Sequence, residues 1–199
     1  MTTRRSFLAT PFLAATLLAT GRPAAAADLD SASAFVDAML KELLAIANGP
    51  TALEAKRAAL ARIIETRVDV DGVARFCLGR FWRTATPAQQ AEYMELFRRA
   101  LVKNISDRVG EYQGVTYAMG RATRREADIA VATTVTRPGN APNKVDWVIE
   151  PEGTPRVIDV IAEGTSLRLT QRSDYAAFLS RNGNSIPALI NALRQQAAG

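Results

Sequence analysis

Four runs of the sequence decide its architecture: Val115-Thr-Tyr-Ala-Met-Gly120, Ile129-Ala-Val-Ala-Thr-Thr-Val135, Val145-Asp-Trp-Val-Ile149 and Val157-Ile-Asp-Val-Ile161. In the first three the apolar residue returns at every second position. That is the spacing at which successive side chains of a strand leave on opposite faces. Pro138-Gly139-Asn140-Ala141-Pro142-Asn143 and Glu152-Gly153-Thr154-Pro155 supply turns between the later runs. Arg121, Arg124 and Arg125 are expected in a basic turn between the first two. Strands following one another through short turns predict an antiparallel meander of about four strands.

Outward from these runs the period changes to that of helices. Asp30 to Ala47 carries Phe35, Met39, Leu43 and Ile46 beside Val36, Leu40 and Leu44, a wide apolar face that Asn48-Gly49-Pro50 terminates. Thr51 with Glu54 has the spacing of a capping box, opening a helix that buries Leu53, Leu60, Ile63 and Ile64. Asp71 is placed to cap a short helix through Val73 and Phe76 to Gly79. Thr86-Pro87 with Gln89 starts the longest element, in which Tyr93, Phe97, Leu101, Ile105 and Val109 recur every four residues. A stripe at that spacing drifts around a 3.6-residue helix, so one helix can meet two apolar surfaces. It either wraps a core or lines a ligand cavity at one end. Two helices, one with Tyr175, Phe178 and Leu179 and one with Ile186, Leu189, Ile190 and Leu193, close the chain. The expected fold is α+β, with helices packed on a curved antiparallel sheet and enclosing an apolar cavity.

The first residues read as an export signal. Arg4-Arg5 precede Phe7-Leu8, a short apolar stretch runs from Phe12 to Ala19, and Ala24 to Ala27 offer a cleavage point. The paired arginines resemble the twin-arginine type, with the general secretory route as the alternative. The apolar stretch is far short of the ~20 residues of a spanning helix. Cleavage after Ala27 leaves residues 28–199 as one domain and removes three arginines and no acid. The +5 of the whole chain becomes +2, with 22 basic against 20 acidic side chains. The high isoelectric point therefore gives no argument for a nucleic-acid partner.

The sequence has no histidine and one cysteine, Cys77. Histidine-dependent triads and histidine-ligated zinc are excluded, as is an intramolecular disulfide. Neither a nucleophile elbow nor a glycine-rich phosphate loop is present, so catalytic residues, metal and cofactor are all expected to be absent.

A longer pattern spans nearly the whole chain after the signal: Val70-Asp71, Ala74-Arg75, Leu78-Gly79, Trp82-Arg83, Thr86-Pro87, Gln89-Gln90, Phe97 and Leu101, then Trp147, Val157, Asp159-Val160, Glu163-Gly164 and Ser166-Leu167. In order and spacing this resembles the MlaC, or toluene-tolerance, family of periplasmic phospholipid-binding proteins. Some relatives belong to hopanoid-associated gene sets. The resemblance implies a carrier with acyl chains held between helices and a curved sheet. Its implied partners are a phospholipid ligand, an inner-membrane ABC transport complex and an outer-membrane lipoprotein complex.

Periodicity selects Phe76, Phe97, Leu101, Ile105, Val131, Val135, Trp147, Ile149 and Val160 as candidate lipid contacts, although core and pocket draw on the same residue types. Trp82 is expected to pack the short helix on the long one, with Arg83 pairing a surface charge. Cys77 reads as a buried small hydrophobe. Asp159, placed on the strand face of Val157 and Ile161, is expected to bond to the turn at Glu163-Gly164-Thr165. A pKa-raised catalytic carboxylate is the other reading, and would suit a small cone-shaped isomerase or dehydratase. The remaining alternative is a non-enzymatic adaptor that docks other proteins.

Overall fold

The computed structural model describes residues 24–198. Arg4-Arg5 and the apolar stretch of the expected signal lie outside the described residues, and Ala24 to Ala27 open the first helix. In chain order the elements are α1 (Ala24–Asn48), α2 (Leu53–Arg67), α3 (Val70–Leu78), a 3₁₀ turn (Gly79–Arg83), α4 (Pro87–Ser106) and a second 3₁₀ turn (Val109–Tyr112). There follow β1 (Thr116–Arg125), β2 (Asp128–Thr136), β3 (Asn143–Glu150), β4 (Arg156–Ala162), β5 (Thr165–Ser166), α5 (Leu167–Arg181) and α6 (Ile186–Ala198). The strands pair antiparallel in sequence order. The α+β meander is as expected, with β5 added. Two residues are too short to show a period.

The helix starts separate sound cap patterns from misplaced ones. At Thr86 the box closes in both directions: the Gln89 amide donates to Thr86 Oγ1 at 3.2 Å and the Thr86 amide to Gln89 Oε1 at 2.9 Å. At Thr51 it does not form. Helix α2 begins at Leu53 behind Ala52, which makes no side-chain cap, and Glu54 instead pairs with Arg57. Helix α3 is capped by Asp69, which accepts from the Gly72 amide at 3.1 Å, and not by Asp71, which pairs with Arg98 at 2.6 Å. The early start has a tertiary cause. The Asp69 amide bonds to the Val157 carbonyl at 2.9 Å and Val68 bridges Val157, so β4 fixes where α3 begins.

Strand β1 also departs from expectation. Arg121, Arg124 and Arg125 lie in the strand, and the turn is Glu126-Ala127. Arg124 pairs with Asp28 of α1 at 2.7 Å, and Arg125 with Asp146 of β3 at 3.2 Å. Between Met119 and Ala122 the register slips, so Gly120 and Arg121 together face Ala132. A Cβ on Gly120 would come within 3.0 Å of the Ala132 carbonyl oxygen, so the bulge that bends β1 needs glycine there.

Two apolar cores result. A helical core joins Ala74, Cys77 and Leu78 of α3, Tyr93 and Phe97 of α4, and residues of α5 and α6. A sheet core joins Val36, Met39 and Leu40 of α1 and Leu60 and Ile63 of α2 to Ile129, Val131, Ile149 and Val157. Helix α2 separates them, giving Ile64 to the first core. The four-residue stripe is cut where α4 ends at Ser106: Tyr93 to Ile105 serve the helical core, and Val109, in the 3₁₀ turn beyond the helix, serves the sheet core.

Candidate functional site: a graded apolar sheet face

Cross-strand pairing sorts one face of the sheet into rows. Ile129, Ile149 and Val157, edged by the exposed Arg124, form the first; Ala122, Val131, Trp147 and Val160 the second; Met119, Thr133, Val145 and Ala162 the third; Tyr117, Val135 and Asn143 the last. Burial falls along this series. The first row is dry, with Ile129 and Ile149 at 0% exposure. Val131 is sealed while Trp147 and Val160 are half-buried, then Val145, Ala162 and Val135 are half-buried and Met119 is exposed. The face therefore runs from a closed base beneath α1 and α2 to an open, apolar end.

Polar groups on the face are few and internally paired. Thr133 is 3% exposed; its hydroxyl donates to the Val145 carbonyl at 2.9 Å and accepts from Trp147 Nε1 at 3.1 Å. Two hydrogen bonds thus satisfy a buried hydroxyl and fix the indole across the middle row. Tyr117, at the open end, donates to Asp37 Oδ1 of α1 at 2.8 Å. Burial and then this bond push the Tyr117 phenol up to about 12. The bond to Lys41 and then that to Tyr117 hold the Asp37 carboxyl below its ordinary value. The contact therefore persists above the ordinary aspartate range and weakens as pH falls through the lowered value. Changing Tyr117→Phe is expected to leave the fold intact and to speed amide exchange in α1 around Asp37. Unchanged exchange there would show that packing alone seats the helix.

The structure brings Val131, Val135, Trp147, Ile149 and Val160 together on this face. Phe97, Leu101, Ile105 and Phe76 belong to the helical core. Helix α4 packs chiefly on α2, α3 and α6, so its stripe is turned away from the strands. Thr133 lies on the face that the Ile129-Val131-Thr133-Val135 alternation gave it, although it was not among the candidate lipid contacts. The apolar side of α1 was also legible, but the surface it covers was not.

Asp159 requires a correction. A bulge at Ile158 shifts the register between Val148 and Ile149, so Asp159 pairs opposite Val148 and leaves the face of Val157. Its carboxylate accepts from the Val160 amide at 2.8 Å, Ser166 Oγ at 2.6 Å and the Arg168 amide at 3.1 Å, with Arg168 Nε at 3.6 Å. These partners lie just beyond the expected turn and tie β4 to the start of α5. A carboxylate so engaged is poorly placed for proton transfer. Elsewhere, burial pushes the Tyr93 and Tyr175 phenols far up and the Cys77 thiol up to about 12. Cys77 is 1% exposed, as a small hydrophobe would be. Trp82 packs on the helical core and its carbonyl accepts from Gln90 of α4 at 2.8 Å. Arg83, expected to pair a surface charge, forms no ion pair among the described residues; no carboxylate adjoins it.

A curved antiparallel sheet, roofed by helices over a face that opens gradually onto apolar side chains, defines a protein organised around an apolar surface. The chain belongs to the MlaC family: the family pattern described as MlaC protein matches residues 34–195. It is 30% identical over 137 residues to the toluene tolerance protein Ttg2D of Pseudomonas putida, an alignment covering 67% of this chain and 63% of that protein. A phospholipid-binding protein from Ralstonia solanacearum, solved in complex with a phospholipid, shares the fold with a TM-score of 0.72 at 23% identity. That match covers 84% of this chain and 97% of the other. No helix among the described residues is long and apolar enough to cross a membrane.

Proposed function

We propose that the protein is a non-enzymatic periplasmic carrier that holds phospholipid tails against the graded sheet face. The observation that carries this reading is the fall in burial from Ile129 and Ile149 to Val135 and Val145. Val135 and Val145 stay half-buried as the surface opens toward Tyr117 and Asn143. Two 16-carbon tails cost on the order of 25 kcal/mol to leave in water, at about 0.8 kcal/mol per CH₂. A carrier must cover that hydrocarbon and leave the charged head wet. Val131, Val135, Trp147, Ile149 and Val160 are the assigned tail contacts. Helix α1, held at Tyr117 and Arg124, serves as the cover that yields to admit them. Phe76, Phe97, Leu101 and Ile105 support the helical scaffold.

Family membership supports a place in exchange between an inner-membrane ABC transport complex and an outer-membrane lipoprotein complex. The N-terminal export signal, cut after Ala27, would deliver the chain to that compartment. Organic extraction of the natively purified protein, followed by mass spectrometry, is expected to yield phospholipid in amounts comparable with the protein. Repeated preparations free of lipid would overturn the carrier reading. Polycyclic terpenoids in the extract would instead assign the hopanoid-associated branch.

A further inference from the structure

Residues of α3, the following 3₁₀ turn and α5 line a shallow, open groove of about 350 Å³, with Arg75, Arg80, Arg83 and Arg172 beside Phe76 and Trp82. No carboxylate lines it. Among the described residues none of these four arginines takes part in an ion pair. Two of them lie on aromatic rings of the groove. Arg75 lies 5.4 Å over the Trp82 ring, and Arg172 lies 4.9 Å over the Phe76 ring that Arg168 also covers at 4.6 Å. Gly79 permits this approach: its φ is 58°, and a Cβ there would sit 3.1 Å from Arg172 Nε.

We infer that this groove is a docking site for an acidic segment of a protein partner. Arg75 and Arg172 are seated on rings of the groove, and a guanidinium presents a planar fork of N–H donors that takes a carboxylate through two parallel bonds. The same stacking argues against a membrane surface. A membrane-binding face projects its aromatic rings into the headgroups, whereas here Phe76 and Trp82 are the floor and the arginines roof them. The groove lies apart from the sheet face and does not rest on the lipid assignment.

The test uses the isotope-labelled protein titrated with a synthetic peptide of alternating glutamate and glycine, and separately with phosphatidylglycerol vesicles. Peptide-induced amide shifts are expected to cluster around residues 75–83 and 168–172 and to fade as salt screens the charges. The double change Arg80→Glu, Arg83→Glu, on two exposed side chains, is expected to weaken binding at least about tenfold and leave co-purified lipid unchanged. Shifts spread evenly over the other arginines, or undiminished binding by the double variant, would overturn the inference. So would a response to vesicles with none to peptide. The salt and shift measurements on the unaltered chain stand even if the variant folds poorly.

Discussion

Changing Asp159→Ala is expected to lower the stability of the folded chain by about 3–5 kcal/mol, because it strips one member from a buried charge pair and leaves its partners behind. The carboxylate is 8% exposed and receives the Val160 and Arg168 amides, the Ser166 hydroxyl and the Arg168 guanidinium. Without it, the Val160 and Arg168 amides lose their acceptor, each unpaired donor costing about 1–3 kcal/mol, while the Arg168 guanidinium is partly solvated. The midpoint of thermal unfolding should fall by roughly 10 °C for a chain of this size. Asp159→Asn keeps an acceptor and should lose about half as much. Denaturant unfolding supplies the measurement. A loss below about 1 kcal/mol for the alanine variant would mean that packing, not this carboxylate, joins β4 to α5.

The second large effect concerns cargo. Val135→Arg places a guanidinium at the open end of the sheet face, beside Tyr117 and Asn143. A charge against hydrocarbon without a partner costs several kcal/mol, and the long side chain recovers part of that by turning its head to water. Retained phospholipid should therefore drop at least about tenfold, with little loss of stability at a half-buried position. Val135→Leu should retain wild-type lipid. Val131→Arg, at 0% exposure, should lose lipid and stability together. A folded Val135→Arg protein carrying its full lipid complement would remove the open end of the face from the binding surface.

Much of this architecture was legible in the sequence because its signals are local. The alternation around Val131 and Trp147 sets the strands, and Thr86-Pro87 with Gln89 sets the start of α4. What escaped was set by contacts between distant segments. Asp69 caps α3 because Val157 holds the Val68-Asp69 backbone, and no local pattern separates it from Asp71. The bulge at Ile158 moves Asp159 off the face of Val157, and a run of β-branched residues gives no sign of the extra one. The basic segment at Arg121 extends a strand because Gly120 lets β1 bend around Ala132.

The candidate site divides along the same line. Period two put Val131 with Val135 and Trp147 with Ile149; the register between strands, which it does not carry, brings these pairs and Val160 onto one surface. The stripe on α4 showed that Phe97, Leu101 and Ile105 are covered. It could not show that α6, not the sheet, does the covering, because an apolar helix face is the same in either partnership.

The burial of Cys77 has a practical consequence. Its thiol is sealed between α3 and α5, is held protonated well above neutral pH, and has the Arg168 carbonyl 3.7 Å from its sulfur. Maleimides and other thiolate-seeking reagents should leave it untouched while the protein is folded. A new cysteine at an exposed position such as Met119 would then be the sole labelling point. A fluorophore or spin probe could be mounted at the rim without first engineering the native sulfur away.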